Sequence, residues 1–377
     1  MYMKKDELLQ YFDAHLDLFT AEFAELCAIP APSHHEEKRV SWVMEWLRKN
    51  GIVGAYTDEA LNVVLPLGDT SHADIFMAHT DVVFPDTEPL PVEVHDGCLY
   101  APGAGDDTAN LLILLWAVRY LLQKGAVPKG GVVICANSCE EGLGNLKGVR
   151  KLMETYSGRV DSLVTLDGHL GGIVDHAVGS QRYRITLRTE GGHSYSNFGN
   201  KNAIREAAAM IEKLYSVTVP TEWKTTYNVG SIEGGTSVNT IAQECRFLYE
   251  FRSEDRNGLA FMEKEFQRII TETEKSGTSI AVETVGIRPC GGDVDPGKLK
   301  ALFEHTDEIQ YSVTGAHCKR QSGSTDANIP LSLGVPAICA GVVKRGAGAH
   351  TREEWVELPS LREGFAFAGL LLGEKFR

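Results

Sequence analysis

The chain has 377 residues, 43% hydrophobic and 23% charged, which is enough for two domains with cores of their own. Its formal net charge of −14 disfavours a polyanionic partner such as nucleic acid, and no basic stripe is visible. No apolar run approaches the ~20 residues of a membrane span, and the N-terminus MYMKKDELLQYFDAHLDLF carries charges where a secretory leader needs an apolar stretch. In chain order, Leu8, Leu9, Phe12, Leu16, Phe19, Phe23 and Leu26 recur at helical spacing and predict a first helix. IPAPS breaks it, and residues 35–51 predict a second amphipathic helix closed by Gly51. Strands are expected at 61–68 and 73–81, an apolar helix at 108–125, and strands at 130–137 and 160–167. Apolar strands alternating with helices imply an α/β sheet covered on both faces.

The pattern changes near residue 180. A half-exposed strand (182–191), a helix (202–216), two strands (225–235 and 244–255), a helix (259–277) and a strand (279–287) follow. The order βαββαβ is that of a ferredoxin-like module. A helix over 297–311, a loop, the strand 335–341 and a C-terminal helix then return to α/β alternation. The expected fold is an α/β domain with a mixed sheet, formed by 1–179 and 292–377. An α+β domain, 180–291, is inserted into it.

Acidic residues and histidines fall where strands end. IFMAHTD places His79 and Asp81 on one face of a strand end. GAGDDTAN puts Asp106 and Asp107 in a glycine-rich loop, NSCEEGLGN supplies Glu140 and Glu141, VTLDG supplies Asp167, and GAGAHTREE supplies His350. Taken singly, each reads as an ordinary turn, cap or surface pair. Their joint occurrence at the carboxyl ends of strands, where α/β sheets gather ligands, points to a site. Oxygen and imidazole donors without thiolates suit one or two zinc-type ions with an open coordination position. The eight cysteines form no C-x-x-C pair, and several sit in apolar runs, as reduced thiols of a cytoplasmic protein do.

As a set, these motifs resemble the co-catalytic zinc exopeptidases and deacylases that include peptidase T, carboxypeptidase G, acetylornithine deacetylase and succinyl-diaminopimelate desuccinylase. The resemblance runs from IPAPSHHEEKRV through MAHTDVV, GAGDDTANL, SCEEGLGN, LDG, GGHSYSNFGNKNAI, GGTSVNTIA and FRSED to SGSTDANIPLSLGVPAICAGV and GAHTREEWVEL. It implies that the inserted module is a lid that forms a homodimer. It also implies two zinc ions, with cobalt or manganese as substitutes. His79, Asp106 and Asp167 would bind the first, and Asp106, Glu141 and His350 the second, Asp106 bridging both. Asp81 would orient His79, and a cis peptide would follow Asp106. Glu140 would be the general base acting on a water that bridges the metals.

In the lid, the resemblance assigns His193 to the partner's active site, and Asn239 and Arg252 to the substrate. Ser324 and Thr325 match a loop that approaches the substrate. Thr108 departs from the family, whose members often carry Lys there. His169 is a competing ligand or a loop histidine, and His34 and His35 are expected in solvent. Asp167, where deacylases and carboxypeptidases tend to carry Glu, favours an aminopeptidase or di/tripeptidase like peptidase T. The alternatives are an N-acyl amino acid deacylase with the same centre and an inactive metal-bound binding protein. The absence of a G-x-S-x-G elbow argues against a serine hydrolase.

Overall fold

The apolar runs pair into an eight-stranded mixed sheet. In the computed structural model, which describes residues 3–275 and 277–377, its order is Tyr56–Thr57, Val63–Leu67, Gly131–Asn137, Ala73–His79, Val160–Thr165, Ala337–Ala340, Gly172–Ala177 and Lys319–Gly323. Ala73–His79 is parallel to both of its neighbours, so three strands end at the same edge. Continuous apolar strands are explained by burial on both faces. Phe76, Ala78, Val132, Ile134 and Ala136 enter one core, while Ile75, Met77, Val133 and Cys135 enter another.

The first core is built on Asn110–Gln123 and Leu361–Gly373, with Lys5–Ala14 and Pro296–Thr314 packed on the latter. Residues 110–121 are all buried, as befits a helix apolar all round. Lys147–Thr155 and Asn328–Ser332 cover the other face. A small antiparallel sheet joins Gly346–Ala347, Trp355–Glu357, Cys98–Tyr100 and Glu93–His95, bringing together segments far apart in the chain.

By contacts, the chain divides into two compact units: residues up to Ala177 together with Gly292–Arg377, and Val178–Gly291. The second is an antiparallel sheet ordered Thr225–Gly234, Glu244–Ser253, Gly179–Arg188, Ser279–Arg288, with helices Ala203–Tyr215 and Arg256–Lys275. Its own core includes Ile185, Leu187, Phe247, Phe251 and Phe266. Among the described residues no helix is long and apolar enough to cross a membrane.

Two local differences have physical reasons. The first predicted helix is two, Lys5–Ala14 and Leu16–Ala28, because His15 leaves helical geometry (φ −122°, ψ 16°). The apolar periodicity runs through the break because both pieces bury Leu8, Phe12, Phe19 and Phe23 in one core. The segment expected as a loop before residue 335 contains the strand Lys319–Gly323 and the helix Asn328–Ser332. KRQSG is exposed and lacks apolar alternation, so only its pairing with Gly172–Ala177 defines it as a strand.

Trp116 is fully buried, meets Phe12 and Phe19, and donates Nε1–H to Glu22 at 2.7 Å. Trp116→Ala should lower the unfolding free energy by about 3–5 kcal/mol, measured by urea denaturation. A loss below about 1 kcal/mol would contradict this placement.

Candidate metal centre

His79 ends its strand beside Asn137, at the end of the parallel neighbour. Its Nδ1 lies 3.0 Å from the Asp81 carbonyl oxygen and 3.4 Å from Asp81 Oδ1, while Nε2 lies 3.2 Å from Asp106 Oδ1. The Nδ1 contacts favour a proton there and leave Nε2 as the ligand atom. Asp81 does more than touch His79. Its Oδ1 accepts from the Glu140 N–H and its Oδ2 from the Glu141 N–H, both at 2.9 Å, and Ser33 Oγ donates to Oδ2 at 2.6 Å. Burial alone would raise the Asp81 carboxyl, but its bonds to His79 and Ser33 hold it below the usual range.

The two glutamates sit on a turn that leaves the strand sharply. Cys139 has φ 58°, rare for a residue with a side chain, and Leu146 N–H closes the turn onto the Cys139 carbonyl at 3.0 Å. Glu36, buried on the helix side, accepts from the Cys139 N–H at 3.0 Å and the His34 N–H at 3.1 Å.

Asp106 comes from a loop that requires glycine at Gly103. There φ is 75°, and a Cβ would lie 2.4 Å from Val82 Cγ1. The Asp106–Asp107 peptide is cis. Asp106 directs Oδ1 to His79 and Oδ2 to His350 Nε2 at 3.1 Å, and the same His350 nitrogen lies 3.1 Å from Glu141 Oε1. Burial would raise Asp106, but hydrogen bonds from His350 and His79 outweigh it and lower the carboxyl. Bonds to Asp106 and Glu141 push the half-exposed His350 up to about 10. Asp107 turns the other way: its Oδ2 accepts the His79 N–H at 2.9 Å, and burial raises its carboxyl. Burial, then the Asp106 charge, pushes Asp167 up to about 7.

Among the described residues, three overlapping groups have ligand atoms within 4.8 Å of one another: His79, Glu140 and Glu141; His79, Asp107 and Asp167; and Asp106, Glu141 and His350. The donor set fits divalent cations. It is oxygen and imidazole without thiolate, and acid is in excess at a buried place. Asp107 Oδ1, buried and without a hydrogen-bond partner, marks that excess.

Several supporting residues were not legible. Arg39 is buried and bonds the Ile29 carbonyl, the Thr80 carbonyl and Thr108 Oγ1 at 2.9–3.1 Å, so a guanidinium faces the threonine found at the departure from the family. Its place at i with Val43 and Trp46 at i+4 and i+7, on the apolar stripe, was the available signal. Asp107 was readable only as a neighbour of Asp106. Glu354 accepts from the Gly103, Gly105 and Asp106 N–H groups at 2.7, 2.8 and 2.9 Å.

Ser324 and Thr325 lie half-buried just before Asp326, which accepts from Asn137 Nδ2 at 2.6 Å. His169 is exposed, lies 3.2 Å from the Val343 carbonyl and belongs to none of the three groups. His34 and His35 are exposed, although the His34 ring also meets Cys139 Sγ at 3.4 Å. Within the second unit, Gly192–His193 pairs with Thr240–Ile241, and the Ser194 N–H donates to the Asn239 carbonyl at 3.0 Å. Those two candidates are therefore neighbours. Arg252 stands apart, its guanidinium bonded to Glu250 at 3.0 and 3.2 Å.

The chain matches the model of peptidase family M20/M25/M40 over residues 75–374. The succinyl-diaminopimelate desuccinylase of Alkalilimnicola ehrlichii is 28% identical over 200 residues, 47% of this chain and 52% of that protein. The chain thus spans about half the length of the first curated relatives it matches. Among solved structures, aminopeptidase PepT of Bacillus cereus superposes with a TM-score of 0.71 at 21% identity, over 96% of this chain and 98% of that one. A tripeptidase of Staphylococcus aureus gives 0.74 at 20% identity, over 99% and 100%. These structural likenesses establish a shared fold. With the match running from the His79 strand to the C-terminal helix, the chain belongs to peptidase family M20/M25/M40.

Proposed function

We propose that the protein is a di-metal hydrolase that cleaves the amide bond of small peptides, as an aminopeptidase or di/tripeptidase. The observation that carries this reading is Asp106, which offers one carboxylate oxygen toward each of two histidines from opposite ends of the chain. His79, Asp106 and Asp167 would hold one cation, and Asp106, Glu141 and His350 the other, with zinc the best match to the donors and cobalt or manganese as substitutes. When bound, the cations would supply Lewis acidity toward the scissile carbonyl and the attacking water.

Glu140 has a carboxylate oxygen within 4.8 Å of ligand atoms of His79 and Glu141, and we assign it the proton transfer. Its carboxylate takes the proton of the attacking water and delivers it to the leaving amine nitrogen. Asp81 holds the Glu140 backbone and His79 in place throughout. A deacylase acting on N-acyl amino acids would use the same residues, and the desuccinylase name of the curated relatives favours it as the second reading. The unpaired cysteines, six of them buried, support a cytoplasmic setting.

The unit Val178–Gly291 is proposed as the lid and dimerisation domain. His193 is exposed, and its Nδ1 accepts the Tyr195 and Ser196 N–H groups at 3.2 and 3.3 Å, which leaves Nε2–H as a free donor. Tyr195, Phe198 and Val238 beside it are 87%, 90% and 101% exposed, an apolar surface suited to a second copy. In that arrangement Nε2–H would stabilise the oxyanion of the partner's reaction, a contact worth about 2.7–4 kcal/mol. Asn239, Arg252, Ser324 and Thr325 remain the proposed substrate contacts.

Glu140→Gln should keep its metal content and lose about 10²–10⁴-fold in activity, whereas Glu141→Gln should lose metal. Metal analysis showing the reverse would exchange the two roles. A free-amine tripeptide should be cleaved faster than its N-acetyl or N-succinyl counterpart, and the opposite order would install the deacylase reading. Mixing His193→Ala with Glu140→Gln chains should restore one working site per mixed dimer from two nearly inactive parents. Subunit exchange without recovery would sink the in-trans role.

A further inference from the structure

Glu354 is a buried carboxylate to which the chemistry above assigns nothing. It directly precedes the strand Trp355–Glu357, which pairs with Cys98–Tyr100, and its carbonyl accepts the Ala101 N–H at 3.0 Å. The small sheet therefore fixes its backbone against the start of the glycine-rich loop. From there the side chain reaches the loop backbone: Oε2 accepts the Gly103 N–H, and Oε1 accepts both the Gly105 and Asp106 N–H groups. Three donors converging on one carboxylate satisfy every N–H that the loop turns toward it, and charge-assisted bonds of this kind are the strong ones. His350 lies four positions earlier in the same segment and meets the Asp106 side chain. One stretch of chain thus holds Asp106 twice, at its backbone through Glu354 and at its carboxylate through His350.

Gly105 keeps this contact open. A Cβ there would lie 2.9 Å from Glu354 Oε1, although its φ is not left-handed and alanine is conformationally acceptable. Replacing the carboxylate by an amide would set an NH₂ donor against the loop's N–H donors, leaving at least one of them unsatisfied.

We infer that Glu354 is a positioning residue that sets the Asp106 carboxylate between His79 and His350, and so determines how tightly both cations bind. This rests on the metal-centre reading of Asp106. The test is zinc affinity by competition with a chelating dye, together with melting temperatures of the zinc-free and zinc-loaded protein. It compares the wild type, Glu354→Gln, Gly105→Ala and the double variant.

Each single substitution should weaken zinc binding tenfold or more, within the ~10–100-fold range for residues that orient metal ligands, and should shrink the zinc-induced rise in melting temperature. Because both act on one contact, the double variant should lose little beyond the worse single one. A merely structural Glu354 would lower the zinc-free melting temperature while leaving zinc affinity within about twofold of wild type, and that result overturns the inference. If Glu354→Gln does not fold, Gly105→Ala decides on the same criterion. Wild-type protein that takes up no zinc would overturn the metal-centre reading and this inference together. Zinc-binding wild type matched by both variants would overturn this inference alone.

Discussion

The geometry of the site depends on the carboxylate of Asp81. Its two oxygens receive the backbone N–H groups of Glu140 and Glu141, and its carbonyl and Oδ1 both face His79 Nδ1. A single buried acid therefore couples the end of one strand to the turn that leaves the next. The turn needs such an anchor, because it departs from the strand through a left-handed Cys139 and would otherwise leave two buried N–H groups unpaired. Ser33 and Glu36 complete the support from the other side, one through its hydroxyl and one through its carboxylate.

Around this anchor the protein accumulates acid that its own bases do not neutralise. Burial raises Asp107 and Asp167, while histidine bonds lower Asp106. The contrast follows from partners: burial pushes all three upward, and only at Asp106 do hydrogen bonds from two imidazoles reverse it. Such a cluster is costly to fold and favours whatever supplies positive charge, so ligand binding and local stability are linked. Arg39 supplies a permanent charge behind the loops, held by carbonyls and Thr108 rather than by a carboxylate bond.

Much of this was legible in the chain. Long periodic segments, such as residues 108–125 and the βαββαβ run after residue 180, announce themselves because burial imposes a fixed period on their side chains. His79, Asp106, Glu141, Asp167 and His350 stood out as donors at strand ends and as members of one motif set, and the fold brings their side chains together. Elements without apolar alternation were missed. Lys319–Gly323 is a strand only because Gly172–Ala177 lies beside it, and Trp355–Glu357 only because Cys98–Tyr100 does. Glu36, Arg39 and Glu354 were missed for a related reason. In a sequence a charged residue on a helix or loop reads as solvated, and only packing shows that it faces inward.

Residue types and their order along the chain specify the inventory: which donors exist, that they follow apolar strands, that thiolates are not among them, and that a second module interrupts the first. Residue chemistry alone did not distinguish neighbours, and only the motif resemblance gave them separate roles. Asp106 and Asp107 are adjacent, as are Glu140 and Glu141, and each pair is chemically near-identical along the chain. Tertiary structure separated them. Asp106 faces two histidine side chains while Asp107 accepts a backbone N–H, and Glu141 reaches His350. The physical reason is that side-chain direction depends on backbone torsion and on anchors such as Asp81 and Glu354, which come from distant parts of the chain.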